Sequence, residues 1–168
     1  MSFAVWLTGF SGSGKSAIAR ALMRELDERG VEVSLLESDV MRTQLTPHAR
    51  YDSKDRDFFY GALGAIAALL VGEGRPVLID ATANRRRYRD AARSRIARFC
   101  EVHVDTPLEV CRARDTKALY RTASTLPGVQ APYEAPAEPE VLVHGDRGTP
   151  QDAAKAIVTY LEQQGWLG

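Results

Sequence analysis

The sequence predicts an α/β fold, with a five-stranded parallel sheet and helices on both faces. Two observations carry this prediction. Short apolar runs of strand type alternate with segments of helical apolar spacing along the 168 residues, as in sheets whose parallel strands are joined by helices. The first run, residues 3–8, leads directly into a glycine-rich stretch and then into a helical segment at 17–26. A strand, a glycine-rich loop and a helix in this order suggest a phosphate-binding site.

The glycine-rich stretch at 9–16 is GFSGSGKS, which fits the pattern G-x-x-x-x-G-K-[ST] at every fixed position. In such a loop the backbone N–H groups point at phosphate oxygens, and the helix N-terminus adds partial positive charge. We expect Lys15 to reach the β- and γ-phosphates and the Ser16 hydroxyl to bind Mg²⁺. The other nucleotide contacts are expected from Gly9, Ser11, Gly12, Ser13 and Gly14. The motif predicts a P-loop NTPase of the small kinase type.

The remaining elements continue the alternation. Strands are predicted at 32–36, 76–80, 99–105 and 140–143, and helices at 53–72, 86–98, from Pro107 onward and at 150–164. Residues 123–140 are rich in proline and show no periodicity, so we expect an irregular surface loop. We expect one kinase domain over 1–168, with a lid at about 115–138 that excludes water from the reaction.

Composition narrows the classes of function. The 22 basic and 22 acidic side chains cancel, so no overall field attracts nucleic acid or an anionic membrane. No apolar stretch reaches membrane-spanning length, and the first residues lack the blocks of a signal peptide. Cys100 and Cys111, the only cysteines, lie in apolar elements and are expected to be buried free thiols. We expect a cytoplasmic protein whose partners are small molecules.

Candidate catalytic residues follow the second and third predicted strands, because sites in parallel α/β sheets lie at the carboxyl ends of the strands. Glu37 and Asp39 follow the second strand, where a carboxylate can take a proton from an acceptor hydroxyl. Arg42 can bind an anionic acceptor. The alternative for the two acids is structural, since helix starts favour negative charge. Asp80 closes the third strand, where an acid could help to hold Mg²⁺.

Two basic segments have both functional and structural interpretations. The segment 112–117, which contains Arg114 and Lys117, enters the predicted lid, where cations can stabilise charge during phosphoryl transfer. Basic residues also favour helix C-termini. The segment 85–98, RRRYRDAARSRIAR, resembles a nucleic-acid patch. We favour a solvated helix face with Ala91, Ile96 and Ala97 packed inward, and keep residues 85–87 as candidates for substrate contact.

Several strings resemble the adenylylsulfate kinase (APS kinase) family across almost the whole chain. WLTGFSGSGKSAIA resembles that family's WLTGLSGSGKST, and ESDVMR its D-G-D-x-x-R. YDSKDR resembles F-S-x-x-D-R, and VDTPLEVCRARDTKALY resembles V-D-x-P-L-E-V-x-x-x-R-D-x-K-G-L-Y. APYEAPAEPEVLV is similar to A-P-Y-E-x-P-x-x-P-E-L. The resemblance implies transfer of a phosphoryl group from ATP, with Mg²⁺, to the 3′-hydroxyl of adenylyl sulfate. The product would be PAPS, in sulfate assimilation.

The resemblance also implies roles for individual residues. Asp39 would be the catalytic base or a metal-binding acid, and Lys15 and Lys117 would serve the transfer. Arg114 would lie on the ATP side. The acceptor would contact residues from several segments, namely Glu37, Arg42, Tyr51, Arg56, Asn84 and Leu126. Asp80, in VLIDATAN, instead resembles small-molecule and polynucleotide kinases with the same core, and would hold the metal with Ser16. A homodimer is what the family suggests.

Several positions depart from the family's pattern, and they cluster on the acceptor side. Glu37 stands where the family has aspartate, Phe59 where it has asparagine, Asn84 where it has serine, and Leu126 where it has a stacking phenylalanine. One alternative is therefore a P-loop kinase of another small hydroxylated metabolite. The others are a nucleotide switch without an acceptor and a polynucleotide end kinase that uses 85–98.

Overall fold

The computed structural model describes residues 2–115, 118–122, 126 and 131–168. Five parallel strands form one sheet in the order β2-β3-β1-β4-β5. The strands are β1 (Ala4–Thr8), β2 (Ser34–Glu37), β3 (Val77–Asp80), β4 (Phe99–Asp105) and β5 (Val141–His144). The predicted fold class is confirmed.

Helices connect the strands and cover both faces of the sheet. Those formed by the described residues are α1 (Lys15–Asp27), α2 (Ser38–Leu45), α3 (Ser53–Gly72), α4 (Arg86–Arg93), α5 (Leu108–Ala113), α6 (Leu119–Thr122) and α7 (Pro150–Gln163). α7 begins with a capping box, in which Thr149 and Asp152 each bond the other's backbone N–H. Among these residues, no helix is both long and apolar enough to cross a bilayer.

Two hydrophobic cores lie on opposite faces of the sheet, and β1 contributes to both. Val5 and Leu7 join the core that contains residues of α1 and α7, whereas Ala4 and Trp6 join the core that contains residues of α3 and α4. This alternation is the two-residue period of a strand. All five residues of β1 are buried, so the chain that enters the P-loop is fixed from both sides.

The arginine-rich helix is shorter than predicted and packs differently. α4 ends at Arg93, because residues 94–96 form turn hydrogen bonds to the carbonyl oxygens of its last turn and direct the chain into β4. Ile96 is buried as predicted, but Ala91 and Ala97 are exposed. Arg89 is buried instead, with 1% of its surface exposed. The prediction of a solvated arginine face is therefore wrong at Arg89.

The strand register brings candidate site residues to one edge of the sheet. Asp80 pairs with Leu7 of β1 and with Glu37 of β2. β2 spans Ser34–Glu37 rather than 32–36, so Glu37 is its last residue and α2 follows at once. The P-loop, the end of β3 and the start of α2 thus meet at the carboxyl edge of the sheet, where sites in this fold class lie.

Candidate active site

The P-loop wraps the N-terminus of α1. Gly12 and Gly14 have φ values of 79° and 107°, a region in which side chains other than glycine are strained. Lys15 extends back across the loop, and its Nζ donates to the carbonyl oxygens of Gly9 at 3.0 Å and Phe10 at 2.8 Å. These bonds hold its ammonium group beside the loop, where phosphates would bind.

Ser16 and Asp80 form a direct contact between the P-loop helix and β3. The Ser16 hydroxyl donates to Oδ2 of Asp80 at 2.5 Å, and Asp80 is only 4% exposed. A hydroxyl and a carboxylate are oxygen ligands of the kind Mg²⁺ prefers, and such sites are usually completed by substrate phosphates. Among the described residues, no cluster of three or more His, Cys, Asp or Glu could hold a metal by itself. The pair therefore fits a metal that binds together with a nucleotide.

A cavity of about 400 Å³ joins the two sides of the site. Nine residues predicted from the sequence line it: Ser11, Gly12, Gly14, Lys15, Ser16, Glu37, Asp39, Asp80 and Arg114. Asp39 is exposed in the first turn of α2, and Glu37 lies 3.6 Å from a guanidinium nitrogen of Arg20. The cavity thus brings the phosphate-binding loop and the acids after β2 together around one space.

Arg42 lies in a cluster of aromatic rings behind the acids. Its guanidinium carbon is 4.0 Å from the ring centroid of Phe59 and 5.0 Å from that of Tyr51, which are cation–π distances. Nη2 donates to the Tyr60 hydroxyl at 3.4 Å, whereas Nη1 is buried without a hydrogen-bond partner among the described residues. Phe59 therefore contacts this arginine through its ring, at the position where the family's pattern has a hydrogen-bonding asparagine.

Asn84 binds the segment that contains Pro132 and Glu134. Its Nδ2 donates to the Pro132 carbonyl at 2.9 Å, and its backbone carbonyl oxygen accepts from the Glu134 N–H at 2.7 Å. Its Oδ1 is buried without a hydrogen-bond partner among the described residues. The preceding residue, Ala83, has a φ of 44°. Asn84 thus combines a structural role with one unused acceptor atom.

The remaining predicted acceptor-side residues and Lys117 belong to α3 or to the segment predicted to form a lid. Arg56 is buried at the start of α3. Leu126 is 8% exposed, and its carbonyl oxygen accepts from the Ala131 N–H. Lys117 lies outside the described residues. Arg42, Tyr51, Arg56, Asn84 and Leu126 are not among the residues that line the 400 Å³ cavity.

Sequence reasoning missed Thr82 and Tyr120, which also line the cavity. The Tyr120 hydroxyl donates to the Ser11 carbonyl at 2.6 Å and so ties α6 to the P-loop. Burial raises the pKa of Tyr120 well above its ordinary value, so the phenol stays a donor at neutral pH. Thr82 could have been found from its place just beyond β3, and Tyr120 from the string that ends ALY.

The loop between β5 and α7 was missed as well. It lines a second cavity of about 270 Å³ beside the P-loop, together with Gly14 and Arg114. Thr106 connects the two loops, since its hydroxyl donates to the Ser13 carbonyl at 2.8 Å and accepts from the Gly145 N–H at 3.1 Å. The rule that sites follow strand ends applied to β5 too, and would have pointed to GDRGTP at 145–150.

The buried Arg89 fixes the segments around Asn84. It pairs with Glu101 of β4 and donates to the carbonyl oxygens of Ala83 and Glu134. Arg93 pairs with Glu140 at 2.6 Å. These arginines of the basic segment are thus engaged with carboxylates and carbonyl groups of the chain itself.

A P-loop at a strand–helix junction, with a Ser16–Asp80 pair at the carboxyl edge of a parallel sheet, defines a P-loop kinase. A sequence profile described as adenylylsulphate kinase matches residues 1–144. The chain belongs to the adenylylsulphate kinase family.

Curated relatives and a solved structure agree with this assignment. The chain is 38% identical to the adenylyl-sulfate kinase of Rippkaea orientalis, over 97% of this chain and 93% of that protein. It is 36% identical to the adenylyl-sulfate kinase of Halothermothrix orenii, over 97% of this chain and 91% of that protein. Its fold matches the Mycobacterium tuberculosis APS kinase in complex with AMPPNP and APS, with a TM-score of 0.89 and 34% identity over 96% of this chain and 98% of that one.

Proposed function

We propose that this chain is an adenylyl-sulfate kinase, which transfers the γ-phosphoryl group of ATP to the 3′-hydroxyl of adenylyl sulfate and yields ADP and PAPS. One observation carries the proposal: a single cavity is lined both by the P-loop and by the acids that follow β2. A donor nucleotide and an acceptor hydroxyl can therefore meet there. The M. tuberculosis relative of the same fold was solved with an ATP analogue and APS bound.

Positioning and charge neutralisation supply most of the rate in this mechanism. Backbone N–H groups of the P-loop and the Lys15 ammonium bind the phosphates of ATP. Lys15 already lies across the loop on the carbonyl oxygens of Gly9 and Phe10, so a small movement of its end transfers it to a phosphate oxygen. Arg114 lines both cavities beside the loop and serves the nucleotide side.

Ser16 and Asp80 hold Mg²⁺ in this proposal. Their contact of 2.5 Å brings together two hard oxygen donors next to the phosphate loop. The ion supplies neutralisation of charge on the transferred phosphoryl group. Asp80 is positioned by its buried strand, so the donor set is rigid on the protein side.

Asp39 acts as the acceptor-side base or orients the acceptor hydroxyl, and Glu37 is its companion. Its location in the first turn of α2, in the wall of the cavity, supports this role. A carboxylate within hydrogen-bond reach of a reacting hydroxyl contributes about 10²- to 10⁴-fold to a proton transfer. Glu37 forms a salt bridge with Arg20 and lines the same cavity as Asp39.

The acceptor binds beyond the acids, against the aromatic cluster. Arg42 and Arg56 bind the anion of adenylyl sulfate, and Tyr51 stacks on its adenine while Leu126 covers the ring. Asn84 completes the set through its unused Oδ1. Tyr51 is 46% exposed and so has a free ring face for stacking.

The whole chain, 1–168, works as one kinase domain in this proposal, and residues 115–138 act as a lid that carries Lys117. The described end of this segment is tied to the site by Asn84 and by Tyr133, whose hydroxyl lies 3.0 Å from that of Thr8. A lid excludes water, which would otherwise accept the phosphoryl group.

We further propose a cytoplasmic homodimer. Cys100 and Cys111 are buried free thiols, as predicted, and thiols of this kind persist in a reducing compartment. A related structure is the hexameric APS kinase from Thiobacillus denitrificans, of which this chain covers 30%. Phe58 and Leu69 of α3 are 61% and 65% exposed, and we expect them in the contact between copies. Light scattering of the purified chain tests the dimer, and the mass of a monomer would contradict it.

An ADP-release assay with Mg-ATP, with and without adenylyl sulfate, tests the activity. We expect strong stimulation and formation of PAPS. Binding of ATP without stimulation would overturn adenylyl sulfate as the acceptor and direct the search to other hydroxylated metabolites. ATP hydrolysis that no small molecule affects would indicate a nucleotide switch, and salt-sensitive binding of oligonucleotides would indicate an end kinase.

A further inference from the structure

Tyr60 joins the two parts of the proposed acceptor site. Its side chain projects from α3 and is 4% exposed. The hydroxyl accepts two hydrogen bonds, from Nη2 of Arg42 at 3.4 Å and from the N–H of Ala83 at 3.2 Å. One donor belongs to α2 and the other to the loop after β3, so one phenol oxygen connects two segments that are distant in the sequence.

Both segments carry a polar atom that is buried without a hydrogen-bond partner among the described residues. These atoms are Nη1 of Arg42, a donor, and Oδ1 of Asn84, an acceptor. Buried polar atoms of this kind are uncommon in proteins, because each lost hydrogen bond with water is unfavourable. Nη1 belongs to the group that bonds the Tyr60 hydroxyl, and Oδ1 lies one residue beyond Ala83. The Tyr60 hydroxyl thus bonds the guanidinium group that carries one unused atom and the residue next to the one that carries the other.

Tyr60 is one of the neighbours that hold Ala83 in an unusual backbone conformation. Ala83 has a φ of 44°, a left-handed conformation that persists in a residue other than glycine only when its neighbours fix it. Its N–H is fixed by Tyr60 and its carbonyl oxygen by Arg89. The Tyr60 ring is itself fixed by stacking on Tyr88, with centroids 4.7 Å apart.

From these contacts we infer that Tyr60 is a positioning residue of the acceptor site. The identity of the acceptor rests on the proposed function. Tyr60 orients the Arg42 guanidinium and holds the loop that bears Asn84, so that Nη1 donates to the anionic group of the acceptor and Oδ1 accepts from one of its N–H or O–H groups. Tyr60 itself takes no part in phosphoryl transfer. Its hydroxyl acts through the two groups that bind the acceptor.

The substitution Tyr60→Phe tests this role, because it keeps the ring and its stacking and removes only the hydroxyl. We expect the KM for adenylyl sulfate to rise about tenfold, as for the loss of a hydrogen bond to a charged group, while kcat and the KM for ATP change less than about twofold. The matched control is Tyr88→Phe, whose hydroxyl donates to Asp57 in the same interface. We expect this variant to keep both KM values.

Two further measurements separate positioning from general stability. In an Arg42→Ala background, Tyr60→Phe should raise the acceptor KM much less than it does in the wild type, since part of its effect passes through Arg42. Hydrogen exchange of the Ala83 amide should accelerate in Tyr60→Phe and not in Tyr88→Phe. This second readout needs no acceptor, so it remains decisive if adenylyl sulfate proves not to be the substrate of the wild-type enzyme.

Several results would overturn the inference. One is an unchanged acceptor KM in Tyr60→Phe, and another is the same rise in Tyr88→Phe. With an inactive wild type, unchanged exchange at Ala83 would overturn it. Saturating ATP analogue stabilises the folded state by mass action. If Tyr60→Phe fails to fold even then, the hydroxyl is structural and the assignment is wrong.

Discussion

Gly145 lies against Ser13, so close that a Cβ on Gly145 would stand 1.8 Å from the Ser13 carbonyl oxygen. The hydroxyl of Thr106 would be only 2.5 Å from the same Cβ. This contact joins the loop after β5 to the P-loop, so the shape of the phosphate site depends on a glycine far from the motif in the sequence.

Replacing this glycine should therefore deform the P-loop. Gly145→Ala is expected to lower the free energy of unfolding by about 1–3 kcal/mol or more and to weaken ATP binding strongly. Thermal unfolding and calorimetric titration with ATP measure the two effects. The control is Gly61→Ala, in the interior of α3, where a Cβ has no neighbour within 4 Å. It should stabilise the chain by about 0.5–1 kcal/mol. Normal ATP affinity in Gly145→Ala would contradict the close contact.

Lys15 should be required for transfer. Removing one preorganised hydrogen-bond donor from the charge that develops in a transition state lowers kcat by about 10²- to 10³-fold, and we expect at least this loss when the charged donor is removed in Lys15→Ala. The ADP-release assay measures it, and circular dichroism confirms the fold. Lys155, an exposed residue of α7, gives the matched control Lys155→Ala, which should keep full activity. If Lys15→Ala retained full turnover, the assignment of residues 9–16 as the phosphate-binding loop would be wrong.

Asp39→Asn separates the acceptor side from the nucleotide side. We expect kcat to fall about 10²- to 10⁴-fold, because the amide cannot accept the proton, while the affinity for ATP stays normal. The control Asp90→Asn changes an exposed carboxylate of α4 and should have no effect. Full activity of Asp39→Asn would show that another group orients the acceptor hydroxyl.

Asp80 should set the dependence on Mg²⁺. Asp80→Asn removes the negative charge beside Ser16, so the Mg²⁺ concentration for half-maximal activity should rise about tenfold or more, since Mg²⁺ favours carboxylate ligands. Titration of activity with MgCl₂ at fixed ATP measures this shift. A Mg²⁺ dependence identical to that of the wild type would remove Asp80 from the metal site.

Glu140 should contribute to acid sensitivity. Burial raises the pKa of this carboxyl, but hydrogen bonds from Arg93 and from the Glu101 N–H outweigh burial and bring the pKa below its ordinary value. The stabilisation is thus complete above the unfolded-state pKa of about 4.3 and is lost as the pH falls through the lower folded-state pKa.

Glu140→Gln should lower stability at pH 7 and flatten the loss of stability below about pH 4. Chemical denaturation at several pH values measures both effects. The control is Glu138→Gln, which changes an exposed carboxylate two residues away and should leave the pH dependence as it is. If the free energy of unfolding of Glu140→Gln decreased with falling pH as steeply as that of the wild type, this role would be contradicted.

Much of the fold could be predicted from the sequence, because its signals are local. α3 spans Ser53–Gly72 as predicted, since the helical spacing of its apolar residues is long and regular. α4 was predicted five residues too long, because arginines favour helix C-termini but occur throughout the segment 85–98 and so mark no single end. The burial of Arg89 was missed for a related reason: its partner Glu101 lies in another element.

The candidate site likewise contains residues that could be identified from the sequence and residues that only the structure revealed. The P-loop, Asp39 and Asp80 could be identified from contiguous motifs or from strand ends. Tyr60 gave no signal, because its function depends on contacts with residues 18 and 23 positions away. The end of β5 pointed to the loop that contains Gly145, but its close approach to Ser13 could be seen only in the structure. Phe59 could be recognised as a departure from the family's pattern, but its contact with Arg42 required the structure.

The sequence by itself determined the class of fold, the phosphate-binding loop and the resemblance to one kinase family, since a P-loop is a short continuous segment whose backbone conformation is encoded by its own glycines. Only the tertiary structure decided how the acceptor side is built. There Arg42, Tyr60 and Ala83 come from three separate elements, and their distances are set by how α2 and α3 pack on the sheet. Local propensities encode the first kind of information, whereas the second arises only when distant segments are brought together by burial of the core.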